Sequence, residues 1–132
     1  MAKWTNDGEN AILDVFLKAA AQPSFYLGLY TNPTSEPAED VTLTDLTEPS
    51  GGAYARIQLQ NSDWSLSGSV ATHTQKTFSA SGAAWGNVYG CFICNVSSGT
   101  VGKIFSVEQF SDGPYNVPDG GAIKITAKLT CS

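Results

Sequence analysis

The residue type best suited to catalysis occurs once, as His73 in the polar run Val70-Ala71-Thr72-His73-Thr74-Gln75-Lys76. An imidazole works as a general base only when a nucleophile and an orienting carboxylate are assembled around it. No acidic residue lies within nine positions of His73, so Asp45 or Asp63 would have to fold against it from a distance. The sequence therefore predicts a surface histidine rather than a member of a triad. Cys91-Phe92-Ile93-Cys94 spells CxxC. In redox proteins the first cysteine of that motif opens a helix, whose dipole stabilises a thiolate. Here the motif falls inside an apolar strand, where residues 91 and 94 differ in parity and point to opposite faces. Adding Cys131 and His73 would bring the total to four ligands for zinc, but strand geometry opposes gathering them into a tetrahedron. No disulfide framework, metal site or cofactor is expected, and the buried thiols read as fillers of core space.

Residues 32–52 form a long loop holding Glu36, Glu39, Asp40, Asp45 and Glu48, with no basic residue among them. Carboxylates in such number suit Ca²⁺, yet their spacing does not match a calcium-binding helix-loop-helix and no glycine marks the required sharp turn. The loop reads as solvated, or as an electrostatic contact for a basic partner. No glycine-rich phosphate loop follows a strand, because Gly51-Gly52 and Gly120-Gly121 each serve a turn. An enzyme is not supported.

These residues must be held by a particular kind of scaffold. The chain has 132 residues, of which 42% are hydrophobic, 11% aromatic and only 14% charged. That is enough apolar content for one ordinary core, so a single domain over residues 1–132 is expected. Too few Glu, Lys and Arg are present to clothe long helices, and the aromatic content excludes a disordered chain. Seven basic against twelve acidic residues give a net charge of −5, with the basic ones scattered singly. Neither nucleic acid nor an anionic membrane surface is an expected partner, since both require clustered Lys and Arg. The N-terminal MAKWTNDGEN turns polar and acidic and does not read as a signal peptide, so synthesis in a cytoplasm is expected.

One helix is predicted near residues 7–20, where Ile12, Leu13, Phe16 and Leu17 recur at helical spacing, with Asn6 as cap, Glu9 answering it, and Pro23 as the stop. Its apolar stripe would lie on a sheet or on a neighbouring subunit. The remainder reads as strands: 25–31, 53–60 with Ala55, Ile57 and Leu59 inward, 64–67, an exposed stretch at 68–77, 87–94, 102–109, and 122–130 with Ile123, Ile125, Ala127 and Leu129 inward. Seven or eight short strands separated by Gly and Pro turns give an all-β fold, a β-sandwich or jelly roll, with one N-terminal α-helix.

The order of motifs carries a further signal. A helix ending in Ala19-Ala20-Ala21 leads to Phe25-Tyr26-Leu27-Gly28-Leu29-Tyr30-Thr31 and then to the proline-rich acidic loop. Gly51-Gly52-Ala53-Tyr54-Ala55-Arg56 follows, then Ala84-Trp85-Gly86-Asn87-Val88, and Gly120 before a closing strand. This arrangement resembles a family of small structural proteins of tailed bacteriophages, whose members carry a YLALFT-like strand, a GGYAR segment and a W-G-x-V motif. The chain departs by one extra residue in its GGAYAR segment and by YGCFICN after Val88.

The resemblance implies a virion component without catalytic activity. A compact chain with no repeat, shaft or coiled coil is expected to act as a capsid cement or decoration protein contacting the major capsid protein, with a tail or tail-fibre position, binding a receptor or carbohydrate, as the alternative. A homo-oligomer, preferably a trimer, is expected. The candidate contact residues are Trp4, Phe16 of the helix, Glu39, Asp40 and Asp45 of the acidic loop, and Tyr54 and Arg56.

Overall fold

The computed structural model describes residues 3–32 and 37–130. Twelve short strands and one α-helix follow in the order β1 (Lys3–Trp4), α1 (Asn6–Lys18), β2 (Phe25–Tyr30), β3 (Ile57–Leu59), β4 (Trp64–Ser67), β5 (Val70–His73), β6 (Lys76–Ser79), β7 (Gly86–Val88), β8 (Gly90–Cys94), β9 (Ile104–Gln109), β10 (Tyr115–Val117), β11 (Ala122–Ile125) and β12 (Lys128–Thr130). The all-β class with a single N-terminal helix is as the sequence predicts.

A five-stranded antiparallel sheet in the order β1-β9-β8-β2-β3 forms the centre. Three smaller antiparallel sheets, β10-β7, β11-β6 and β12-β5-β4, supply a second layer. The main core lies between the two. Leu27, Leu29, Leu59, Cys91 and Ile93 come from the large sheet, Phe78, Val88, Val117, Ile123 and Ile125 from the small ones, and Ala127 from the link between β11 and β12. On the opposite face of the large sheet, Phe92, Cys94, Ile104 and Val107 are covered by Val41, Leu43 and Leu46 of the acidic loop. Cys91 and Cys94 thus lie in different cores, as their parity requires.

The chain breaks more strands than its periodicity suggests. The expected strand at 87–94 is two strands, β7 pairing with β10 and β8 with β2 and β9, and they part at Tyr89. The closing strand at 122–130 likewise divides, β11 pairing with β6 and β12 with β5, although its alternation holds: Ile123, Ile125 and Ala127 are buried. A larger departure occurs at 53–60, where only Ile57–Leu59 is strand. Gly51, Gly52 and Ala53 take left-handed backbone angles (φ 74°, 56° and 62°), and the Tyr54 N–H closes a turn on the Gly51 carbonyl at 3.0 Å. That turn reverses the expected facing at its start, so Ala55 is exposed while the Tyr54 ring stacks on Phe78 at 6.2 Å and meets Trp85 edge-on at 5.6 Å.

The helix also differs at both ends. Its cap is Thr5 rather than Asn6: the Thr5 hydroxyl accepts from the Gly8 N–H at 3.0 Å and donates to the Ile104 carbonyl. It ends at Lys18, ahead of Pro23, because Ala19 adopts the left-handed region (φ 54°) and directs its N–H to the Asp14 carbonyl. In β9 the residues Ile104 and Ser106 face Cys94 and Ile93, which leaves Phe105 as an extra residue in a bulge. The helix N-terminus sits on that bulge, with the Thr5 N–H bound to the Phe105 carbonyl at 2.9 Å.

Candidate functional site

The residues singled out for chemistry are enclosed by the fold. His73 is 1% exposed, a correction to the surface position expected from its polar neighbours. Its Nδ1 lies 2.9 Å from the Thr74 carbonyl and its Nε2 3.2 Å from the Gln60 carbonyl, while Trp64 stands edge-on at 4.9 Å. Each ring nitrogen faces a backbone carbonyl, to one of which a given tautomer donates, and no carboxylate is among their partners. The signal lay in register: Trp64 pairs with His73 across the β4-β5 hairpin, so the ring lies on the same side as a large aromatic. Burial pushes the Cys91 and Cys94 thiols up, with the Glu108 carboxylate adding to the effect at Cys91. Both are therefore held as neutral thiols, the reverse of an activated cysteine. Among the described residues no group of three or more His, Cys, Asp and Glu is placed to hold a metal ion. No helix among them is long and apolar enough to cross a membrane.

Tyr54 and Arg56 lie inside the protein. The Arg56 side chain is 2% exposed; Nε and Nη2 donate to Glu48 Oε1 and Oε2 at 2.9 and 2.8 Å. Nη1 and Nη2 also reach the Val96 and Gly99 carbonyls at 3.0 and 2.8 Å, and the guanidinium carbon stands 5.4 Å from the Phe92 ring centre. Hydrogen bonding to Glu48 holds the guanidinium even higher than its usual range. Tyr54 donates to Glu48 Oε1 at 2.7 Å and accepts the Leu29 N–H at 2.9 Å. Burial, the largest cause, pushes its hydroxyl far up from the ordinary phenol value. Glu48, counted in the sequence only as one more acid of the loop, is the hub that ties the loop to the sheet. Asp45 is also structural, accepting the Thr42 N–H at 2.9 Å and closing the turn at Leu43–Asp45. Glu39 and Asp40 are exposed at the loop surface. Glu36 lies outside the described residues.

The fold also leaves large apolar side chains uncovered. Ala11 packs against the main core, but most of the apolar stripe of α1 is uncovered: Phe16 is 83% exposed, Leu17 69% and Leu13 51%, with Ile12 and Val15 partly open. These residues form a ridge. Beneath it runs a groove of about 440 Å³ lined by Trp4, Ala11, Ile12, Val15, Phe25 and Phe105. A second groove, of about 520 Å³, runs between Ile12 and the β4-β5 hairpin and is again lined by Trp4. Leu66 on that hairpin is 81% exposed, a position that no sequence pattern marked. Trp4 joins the two grooves. Its indole N–H donates to the Thr130 carbonyl at 3.0 Å and its ring packs partly against the main core. It is thus an anchored floor residue, while Phe16 is free to meet a neighbour.

A family model described as podophage GP4 fiber I protein gp80 matches residues 3–129. The chain belongs to this family. It is accordingly a structural protein of a tailed-phage virion, in line with the resemblance carried by its motifs. The match runs from β1 to the penultimate residue of β12, so α1 and both grooves lie within the family's span. No curated protein matches the chain.

Proposed function

We propose that the chain is a non-enzymatic subunit of the phage tail-fibre apparatus, held in place through protein contacts on the α1 face. The carrying observation is a match to a fiber-protein family along nearly the whole chain, in a protein whose described residues leave an apolar ridge with adjoining grooves uncovered. Contiguous apolar surface of that kind marks an interaction site in a soluble protein. The polar groups best suited to chemistry are, by contrast, used in holding the fold: His73 on two carbonyls, Arg56 on Glu48, the thiols within the cores. The family's description favours the fibre over the shell position expected from compactness.

Cryo-electron microscopy of virions, with this chain's density located by an epitope-tagged copy, tests the proposal. Copies confined to the tail in small number are the expected result. Copies spread over the shell in the hundreds would overturn it and make the major capsid protein the partner, as a cement protein requires.

A further inference from the structure

We propose that the cleft between α1 and the turn joining β8 to β9 is a binding site for a neutral saccharide. The inference goes beyond the structural role above and does not rest on where the chain sits in the virion. It starts from the polar side of α1 and from what stands opposite.

The cleft encloses about 350 Å³, within the roughly 300–1,000 Å³ of small-molecule sites. Asp7, Asn10 and Asp14 line it from the helix, and Asn95 and Lys103 from the β8-β9 turn. Positions 7, 10 and 14 share one helix face at 3.6 residues per turn. Ala11, Val15, Pro23 and Phe105 supply an apolar wall beside them.

The backbone around the cleft is fixed by the fold. The Asn95 N–H donates to the Lys103 carbonyl at 3.2 Å, and Asn95 Oδ1 accepts the Lys103 N–H at 2.8 Å. A Cβ on Gly102 would stand 2.7 Å from that Oδ1, so the Asn95 side chain lies packed on the turn. At the other end the Ala20 N–H donates to the Asp14 carbonyl at 3.1 Å, which holds Ala20 and Ala21 as an end wall. The polar groups facing the cleft are, by contrast, little used. Asp7 stands 3.7 Å from Lys103 Nζ, and among the described residues no bond engages the side chains of Asn10 or Asp14.

The mixture of these groups selects the ligand. A carboxylate only accepts, an ammonium only donates, and an amide does both. A phosphate or carboxylate ligand would face Asp7 and Asp14. A metal ion would face Lys103, and the two aspartates, seven residues apart, are separated by about 10 Å along the helix axis, too far to close on one ion. A wholly apolar ligand would cover five polar side chains without partnering them. A hydroxyl donates to a carboxylate and accepts from an ammonium or amide at once. A pyranose carries several hydroxyls around C–H faces that suit Ala11, Val15 and Pro23. Uncharged and amphoteric at each edge, it matches the lining without opposing either sign of charge.

Amide chemical shifts of the full chain, labelled with nitrogen-15, test the site. The probes are the methyl pyranosides of glucose, galactose, mannose, rhamnose and N-acetylglucosamine, each titrated to about 50 mM. At least one is expected to move the amides of Asn10, Ala20, Asn95 and Lys103 with a Kd of about 1–10 mM, ordinary for a single small polar ligand. Asn10→Ala with Asp14→Ala should raise that Kd about tenfold or more and leave the remaining spectrum in place, since both side chains are exposed. Phe16→Ser, on the apolar ridge, should leave the Kd unchanged. Glucuronate should bind less tightly than the methyl glucoside, because its carboxylate meets Asp7 and Asp14. No shift of those four amides with any probe overturns the proposal. So does a glycerol control that reproduces the shifts, tighter binding of glucuronate, or binding that survives the double substitution. None of these outcomes depends on the chain's place in the particle, so failure here is distinct from failure of the fibre assignment.

Discussion

The sequence offers Arg56 as a candidate contact residue, yet its guanidinium is spent within the chain. Two nitrogens bind Glu48 in a fork, two bonds go to the carbonyls of Val96 and Gly99, and the plane approaches Phe92. A planar, five-donor group is suited to tying a carboxylate and two loop carbonyls at once, and lysine is not. The consequence is measurable. Arg56→Ala strands Glu48 and Tyr54 beside an empty site and should cost about 3–5 kcal/mol in urea unfolding, the loss expected when one partner of a buried pair is removed. Arg56→Lys should recover less than half of it. Glu48→Gln with Arg56→Met should cost less than Arg56→Ala alone, since no unpaired charge is left. A double substitution that costs as much as Arg56→Ala or more would refute the coupling. The sequence could not show this pair, because seven residues and a left-handed turn intervene and nothing local assigns Arg56 to Glu48 rather than to Asp45 or to solvent.

At the scale of elements, α1 has two ends that invert ordinary helix propensity. Gly8 in its first turn would be expected to gain about 1 kcal/mol on becoming alanine. A Cβ there would lie 2.1 Å from the Phe105 carbonyl oxygen, which belongs to the bulge and cannot retreat without breaking its bond from the Thr5 N–H. Gly8→Ala should therefore destabilise the protein, by about 1–3 kcal/mol in overpacking. Ala19 presents the converse case: a left-handed C-cap costs an L-residue roughly 1 kcal/mol, so Ala19→Gly should raise the melting temperature by a few degrees. Thermal unfolding of both variants checks the pair of signs, and stabilisation by Gly8→Ala would contradict the close approach. These ends also show what the sequence could tell. Apolar spacing located α1 and alternation located the inward residues of β11 and β12, because both follow from local periodicity. The breaks at Tyr89 and between β11 and β12 arise where one strand leaves one sheet for another, and the cap moved to Thr5 because β9 offers it a carbonyl. Such choices depend on partners far along the chain. The exposed ridge was legible only as a stripe; that no sheet lies under it is a tertiary fact.

For the whole molecule, the buried titratable groups decide the response to alkali. Burial raises the Cys91 and Cys94 thiols and the Tyr54 hydroxyl above their ordinary values. In the unfolded chain a thiol releases its proton near pH 8.5 and a phenol near pH 10. Between those values and the raised folded ones, the native state holds more protons than the unfolded state, so stability falls as pH rises. Their contribution is fully present below about pH 8.5. It declines above that by about 1.4 kcal/mol per pH unit for each group in its window, first through the thiols and then, past about pH 10, through Tyr54. Urea unfolding across pH 7–11 should show a plateau followed by two steepening limbs. Cys91→Ala, though it opens a small cavity and lowers the plateau, should flatten the first limb. Tyr54→Phe, which leaves the Leu29 N–H and Glu48 short of a partner, should lower the plateau and flatten the second. Parallel curves for wild type and both variants would mean that these protons are lost at their ordinary pH within the fold, and the enclosure of Tyr54 and Cys91 would have to be abandoned. An interior whose thiols and Tyr54 hydroxyl are neutral and whose Arg56 is paired with Glu48, in a chain of net charge −5, leaves the exposed apolar side chains of α1 as the surface on which assembly costs least in desolvated charge.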